Sequence, residues 1–515
     1  MRWKRVRIGS AVSAIGLVCM ATATAPAQEC EPSGVALLQP DYEVKYSEFG
    51  CSVALWGDMC LVGDPGYPNR HDEKTGAVFL FRRSGTRWVL EDKLRASDGE
   101  AGDGFGRSIA VSNDLLIVGA SKSDGRWADA GAVYVFRWNG TTWDEEAKLY
   151  AFDGHEGQYF SSSLAVDDDV IVVGAPYDDQ NGQWSGSAYV FRWDGAQWIT
   201  DAKLLFPDVL EKDFFGRSVA VADNMIMVGA SGNSGAVYVF RYDGHYWYLD
   251  QRVPAPDGSW GDEFGHAVAM HGNRAVVGMP EGDGHNRYSG VAYTYEWTGS
   301  AWVEDTQLEA SDGEEGGLFG HAVAISGDTI IVGAPAIYSS EYAAGAVYIY
   351  QNTGSQWSEA YRIEAWERYD EDQFGLAVAL SGHTILIGAN TEYIRPFGPS
   401  AWVFRVADSP ILVAQHECPG GGPMTIKWSC TTPGGRVALI YGSNHGELTI
   451  PDGNACAGTQ LQLGGPRVVV ISALLWSDSH GNGSMVGTLP EGACGGYLQL
   501  IDVTTCEVSN LTPLK

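Results

Sequence analysis

Four basic or titratable residues, Arg107, Arg217, His266 and His321, occupy one recurring position, immediately after a Phe-Gly pair. Groups at one register of a repeat converge if the repeats surround an axis. There they would form a positive spot able to hold an anion or a carboxylate. The other reading is that each pairs with the acidic loop beside it. Those loops share a pattern, Asp98-Gly99-Glu100-Ala101-Gly102-Asp103, echoed at Asp153-Gly154, Asp257-Gly258 to Asp262 and Asp312-Gly313. Asp98, Glu100 and Asp103 around a glycine turn could share a calcium ion, which takes six to eight oxygens; Asp-Gly is equally an ordinary turn dipeptide. A third set is aromatic: Tyr67, Trp127, Tyr177, Trp184, Tyr288, Tyr338, Tyr342, Tyr393 and Phe397 stand near Asp and Asn in long polar stretches. Such rings are what sugars or protein partners bind, or they pack over their own loops. The sequence has no His-Glu-x-x-His, Gly-x-Ser-x-Gly or phosphate-loop motif.

The elements that must position these groups are repeated. A Phe recurs at Phe49, Phe105, Phe160, Phe215, Phe264, Phe319 and Phe374, each followed 14 residues later by a Gly, from Gly63 to Gly388. Between them lie an alternating small and apolar strand, a two-residue turn and a β-branched strand. The turns are Gly57-Asp58, Asn113-Asp114, Asp168-Asp169, Asp223-Asn224, Gly272-Asn273, Gly327-Asp328 and Gly382-His383, strong signals for tight hairpins. A third strand follows, such as residues 131–136, and a fourth opens at Trp88, Trp143, Trp198, Trp247, Trp302 or Trp357. Four antiparallel strands at so constant a period predict propeller blades, with the small residues nearest the axis and the Trp between blades.

Spacing also predicts how the ring closes. The fourth strand's last apolar residue lies 11 before the next Phe, at Leu94, Leu149, Leu204, Val253, Leu308 and Ile363; eleven before the first Phe is Leu38. The seventh unit stops after its third strand, where Ser409-Pro410 breaks the run. Residues 34–38 should therefore complete the last blade and remove its exposed edge. Antiparallel order then puts all the short turns on one face. The long, variable loops between second and third strands, and between blades, share the other, where recognition usually sits. The fourth unit's loop is cut to Ser231-Gly232-Asn233-Ser234, leaving a gap that could form a groove.

These motifs resemble the FG-GAP repeat family, whose best-known members are the integrin alpha-chain propellers, over roughly residues 34 to 406. The resemblance implies a seven-bladed propeller of extracellular, adhesive or ligand-binding character, here of secreted bacterial type. The third copy reads Phe160-Ser161 and lacks its Gly. The family's calcium loop, Asp-x-Asp-x-Asp-Gly-x-x-Asp between the first two strands, is absent from all seven copies, and a two-residue turn cannot wrap the ion. The family's calcium sites are therefore carried to no residue here.

Residues 1–27 read as a secretory signal: Arg2, Lys4, Arg5 and Arg7 precede an apolar run from Ile8 to Met20, and Ala25-Pro26-Ala27 is a small-x-small cleavage site. No later stretch reaches the roughly 18 apolar residues of a membrane span, so the mature chain is expected to be soluble and secreted, extracellular or periplasmic. The signal holds four of 33 basic residues and no acid, which leaves 29 against 64, a net charge of −35. That excludes a nucleic-acid partner, which needs clustered Lys and Arg.

Eight of nine cysteines follow the signal, an even number in an oxidising compartment. Cys60 falls opposite Leu55 on its hairpin, four residues from Cys51, an offset of roughly 13 Å against a bridging limit of about 7 Å. Those two should not pair. Cys30 with Cys51 would staple the closing strand, and Cys494 with Cys506 and Cys418 with Cys456 are the other candidate bridges, leaving Cys60 and Cys430 as free thiols. Five of these, Cys418, Cys430, Cys456, Cys494 and Cys506, lie beyond residue 406, where composition changes. Runs at Met424–Trp428, Arg436–Tyr441, Val468–Leu475 and Tyr497–Val503 alternate with Gly- and Pro-rich turns, as in a small β-sandwich. Its opening, residues 424–428 and 432–437, looks like immunoglobulin-like modules near the ends of secreted bacterial proteins.

The expected protein is thus all-β: a signal over 1–27, a seven-bladed propeller over 28–406 and a disulfide-containing β-sandwich over 407–515. The expected role is non-enzymatic binding or adhesion, with an extracellular protein or carbohydrate meeting the long-loop face. An extracellular polysaccharide-acting enzyme with paired loop carboxylates, or a structural envelope or matrix protein, are the alternatives.

Overall fold

The computed structural model describes residues 33–41 and 47–405, apart from 70, 72, 85–86, 126, 207, 257–259, 314, 336–344, 353–355, 365–372, 383 and 391–398. Beyond these it describes the backbone of the strands within 411–513. The chain divides into two compact units, one spanning Gly34–Arg405 and the other holding Val406–Lys515 with Met1–Ser33.

The first unit is a seven-bladed β-propeller of four-stranded antiparallel blades. Blade 1 is built from Ser52–Trp56, Met59–Asp64, Ala77–Ser84 and Arg87–Leu94, in that order from the axis outward. The innermost strands of the other blades are Phe105–Ser112, Ser163–Asp167, Phe215–Ala222, Ala267–His271, Ala322–Ser326 and Ala377–Ser381, and neighbouring innermost strands touch all the way round. Each first hairpin turns on the residue pair named above. Its leading residue, Gly57, Asn113, Asp168, Asp223, Gly272, Gly327 or Gly382, has φ between +49° and +58°, a left-handed value that Gly, Asn and Asp tolerate best.

Cores form between blades rather than within them. The seven motif Phe side chains are fully buried. Phe105 meets Tyr134 of its own blade edge-on at 5.3 Å, inside an apolar cluster drawn from blades 1 and 2. Similar clusters join the next blades. Trp143, Trp198, Trp302 and Trp357 are buried, and Trp143 lies edge-on to Trp56 of the preceding blade at 4.9 Å. The expectation of inter-blade Trp therefore holds.

The Gly 14 after each Phe has a steric cause. A Cβ on Gly63, Gly119, Gly174, Gly229, Gly278 or Gly333 would collide with the carbonyl of the residue after the next blade's motif Phe. Where the first strand carries Ser, its hydroxyl caps that same carbonyl: Ser52 donates to Gly106 (2.7 Å), Ser108 to Ser161 (2.6 Å), Ser163 to Gly216 (2.8 Å) and Ser218 to Gly265 (2.8 Å).

A bulge at one register in the third-to-fourth strand pairing of blades 1–4 leaves Glu91, Glu146, Asp201 and Asp250 without cross-strand partners. Each instead binds an arginine of the third strand: Arg82, Arg137, Arg192 (3.1 Å) and Arg241 (2.8 Å). Those guanidinium groups lie over rings of the following blade, as Arg137 does over Trp193 at 5.3 Å. The sequence reading missed these clasps, whose only signal is an Arg after the third strand's aromatic and an acid nine residues on.

Ser33–Leu38 pairs with Ser400–Arg405 as the outermost strand of blade 7, so the predicted closure is present. Leu38 is buried in the cluster joining blades 7 and 1, beside Phe49, Phe79 and Val403. Leu55 pairs with Cys60 as expected, and Cys51 and Cys60 are both free thiols. The Cys30–Cys51 staple lies partly outside the described residues, because only Cys51, at the start of the innermost strand of blade 1, is described. Burial pushes the Cys51 thiol up to about 12. Cys30, Cys418, Cys430, Cys456, Cys494 and Cys506 lie outside the described residues, as does the signal segment. In the second unit Ile411–Gln415, Gly422–Ser429 and Gly483–Leu489 form one antiparallel sheet; Arg436–Thr449, Gln460–Trp476, Tyr497–Asp502 and Thr512–Pro513 form another.

Candidate functional site

The loops of the long-loop face line two cavities over blades 1–3. The first, about 790 Å³, opens at the axis and receives the residues that start the innermost strands, Arg107, Ser162 and Arg217. Lys74 and Lys122 bring its cations to four, against Glu48 as its one acidic lining residue. Arg107 gives an Nη1 contact of 2.8 Å to that Glu48 carboxylate, an exposed pair of modest strength. The Arg217 side chain is exposed and makes no hydrogen bond or ion pair with a described residue.

Further round the axis, His266 Nδ1 lies 2.7 Å from Glu263 Oε2, and the His266 and His321 rings approach to 4.7 Å. The His321 Nδ1 is buried with no hydrogen-bond partner. Burial, then the neighbouring His266 and Arg217, pushes His321 down to about 3. Burial likewise lowers His266, against the pull of Glu263. The structure therefore joins the four predicted residues differently: two arginines share a cavity, two imidazoles pack together, and of the four Arg107 and His266 take an acidic partner.

The second cavity, about 690 Å³, lies between the loops flanking blade 2 and contains all three predicted calcium ligands, Asp98, Glu100 and Asp103. Their contacts give them other roles. Asp98 accepts from Tyr134 Oη (2.7 Å) and Lys148 Nζ (2.9 Å); burial acts to raise its pKa, but Lys148 and Tyr134 hold the carboxyl below the usual range. The same three-way contact recurs as Asp153, Tyr189 and Lys203, and as Asp312, Tyr348 and Arg362. The loop aspartates therefore tie each blade's entry to its outer strands. Asp103 caps a turn, accepting from Glu100 N at 2.9 Å, as Asp213 does from Leu210 N at 2.6 Å. The shared-calcium expectation is corrected accordingly, since an ammonium and a hydroxyl occupy Asp98; no metal-holding group of three such ligands occurs among the described residues.

Blade 3 elaborates the contact. Asp178, buried in its second loop, accepts from Lys203 (2.7 Å), Ser187 (2.7 Å), Gln158 (3.0 Å) and Tyr189 (3.1 Å).

The aromatic candidates divide by environment. Tyr177 packs edge-on against Tyr159 (5.2 Å) and Phe214 (5.6 Å), and Trp184, which stacks on Phe214 at 6.1 Å, lines the axial cavity with it. Tyr288 lies under the Arg287 guanidinium at 4.6 Å. Trp127 is 55% exposed at the rim of the second cavity, joined there by Tyr150 (42%) and Phe152 (61%). Sequence reasoning missed those two, because they sit just past a fourth strand where nothing in the strand alternation marks them. Tyr338 and Tyr393 lie outside the described residues.

Seven four-stranded blades with cavity-lining loops on one face define a β-propeller, a fold consistent with a binding or adhesion scaffold. The FG-GAP repeat profile matches residues 88–136, 143–191, 198–240, 247–295, 302–350 and 357–404, more than half of the chain. The protein belongs to the FG-GAP repeat family. Each match runs from the outer Trp strand of one blade to the third strand of the next, so six matches correspond to seven blades. No curated protein matches the chain. Among solved structures, a chain of the Mitotic Checkpoint Complex is similar at 13% identity (TM-score 0.43, 76% of this chain and 99% of that one). Sqt1 of Saccharomyces cerevisiae is similar at 7% (TM-score 0.40, 75% and 94%), and the β-propeller domain of the Trilobed protease from Pyrococcus furiosus at 9% (TM-score 0.42, 71% and 96%). No described helix is long and apolar enough to cross a membrane.

Proposed function

We propose that this is a secreted, non-enzymatic binding protein that recognises an extracellular glycan through the long-loop face of its propeller. The two sheets beyond residue 410 are read, with the sequence, as a small β-sandwich. The observation that supports a glycan is the second cavity. Trp127, Tyr150 and Phe152 keep large apolar surface in solvent around a concavity, with Asp124, Glu100 and Lys148 between them. Flat rings supply contact area to a pyranose face, and the polar groups orient its hydroxyls. A purely structural role would leave two cavities of this size without a use.

The test is a glycan-array screen of the full chain, with and without calcium, repeated with Trp127→Ala and Phe152→Ala. Each substitution is expected to weaken binding at least about tenfold, since loss of an aromatic anchor costs 1.4 kcal/mol or more, with thermal stability unchanged. Variants that bind like the parent would remove the cleft from consideration. Release of reducing ends from any bound polysaccharide would replace the binding role with the enzymatic one.

A further inference from the structure

The axial cavity has a charge opposite to that of the molecule around it. The chain carries 64 acidic against 33 basic residues, yet the cavity at the mouth of the ring is lined by Lys74, Arg107, Lys122 and Arg217 with Glu48 as its one acid. Glu48 is taken by Arg107 at 2.8 Å. The side chains of Arg217 and Lys122, both exposed, form no hydrogen bond or ion pair with a described residue. Elsewhere on the propeller Arg82, Arg137, Arg192, Arg241, Arg274 and Arg362 each meet a carboxylate. Acids are plentiful enough to neutralise this mouth, yet none forms an ion pair with Arg217; Glu263, the acid within its electrostatic reach, is engaged by His266 at 2.7 Å.

A second feature shares the wall. Trp184, 39% exposed, stacks on Phe214, and Tyr177 stands against both within the same cavity. A partly exposed aromatic pair beside two cations without ion-pair partners suits a sugar ring bearing an acidic group. An acidic peptide would use the charges and leave the platform idle. At about 790 Å³ the cavity lies within the range of small-ligand sites.

We propose that the mouth of the propeller is an anion subsite that selects acidic saccharides. A carboxylate or sulfate of the ligand sits against Arg217 and Lys122, with Arg107 behind, and its ring lies on Trp184 and Tyr177. The inference rests on the saccharide reading above and adds which saccharides and which residues.

The experiment titrates the full chain with a panel of oligosaccharides: oligogalacturonate, oligoalginate and a sulfated oligogalactan, each beside its methyl-esterified or desulfated counterpart. Calorimetry reports affinity, and the difference in tryptophan fluorescence between the parent and Trp184→Phe reports the Trp184 environment among the 18 tryptophans. At least one acidic member should bind about tenfold or more tightly than its neutral counterpart, and should weaken as salt is raised. Arg217→Ala and Lys122→Ala should each erase most of that difference while leaving neutral binding and the melting temperature unchanged. A preference for sulfated over carboxylated members identifies the anionic group without altering the site. The inference is overturned if acidic and neutral members bind alike, if the two variants retain the preference, or if oligoglutamate competes as well as the best saccharide. Neutral binding that survives while the preference is absent leaves the cleft reading standing; no saccharide binding at all ends both.

Discussion

Gly388 of the last blade faces Gly50 of the first across the junction that closes the ring, and a Cβ on Gly388 would overlap the Gly50 carbonyl oxygen. It is the seventh instance of a contact made at every other junction, from Gly63 against Gly106 to Gly333 against Gly375. The closure is thus sterically equivalent to any internal junction, although its partners lie more than 300 residues apart in sequence.

Gly388→Ala should therefore destabilise the propeller about as much as Gly174→Ala does within the ring, by about 3 kcal/mol each, because both force two backbones apart. Denaturant midpoints compared at constant slope would measure this. A near-neutral Gly388→Ala beside a damaging Gly174→Ala would mean that blades 7 and 1 do not pack as described.

Ser161 replaces the motif glycine in the third copy and still holds φ at +80°, where Gly106 and Gly216 have +95° and +90°. It is fully buried, and its hydroxyl has no hydrogen-bond partner. Ser161→Gly should relieve both penalties and stabilise the protein by about 1 kcal/mol, seen as a higher melting temperature. A fall would show that the serine has a role the backbone does not reveal.

Asp178 sits at the centre of the blade 3 network with 2% exposure. Burial acts to raise its pKa, but Lys203 and the hydrogen bonds of Ser187 and Gln180 hold it below the ordinary 3.8. A depressed carboxylate contributes stability that is complete above its unfolded value and is lost as pH falls through the folded one. Asp178→Ala should cost about 3 kcal/mol at neutral pH, since it leaves a mostly buried Lys203 with Asp153 alone. The loss should narrow below about pH 3.8. A cost that did not vary down to pH 2.5 would contradict the ionised network.

His321 gives the opposite kind of group. Its folded pKa of about 3 lies below the ordinary 6.5, so the unfolded chain takes up a proton first as pH falls. Its contribution should be lost progressively from about pH 6.5 downward, earlier than that of any depressed carboxylate. Besides burial, the groups acting on it are His266, Arg217, Glu263 and the Leu376 backbone. His321→Gln should flatten the decline in melting temperature between pH 7 and 4, with His266 accounting for what remains. Superimposable profiles would refute the assignment.

Much of this architecture was legible in the chain. The motif Phe, the Gly 14 residues later and the Gly, Asn or Asp opening each hairpin report on contacts inside one blade or between successive blades. Such contacts repeat with the sequence, and a repeated constraint leaves a repeated residue. The aspartates of the inter-blade loops were visible for the same reason, but their partners were not. Tyr134 lies 36 residues and Lys148 50 residues from Asp98, on different strands, so a hydroxyl and an ammonium stand where a shared cation had been expected.

By itself, then, the sequence determined the number of blades, the strand order, the closing segment and the face that carries the long loops, because periodic burial and turn geometry are local demands written seven times. Only the tertiary structure decided which charges are neutralised. Arg107 and Arg217 occupy the same register and line the same cavity, yet one is paired with Glu48 and the other forms no ion pair with a described residue. That difference comes from loops that vary from unit to unit and meet at the axis, where a side chain's neighbours are set by three-dimensional convergence and not by position in the repeat.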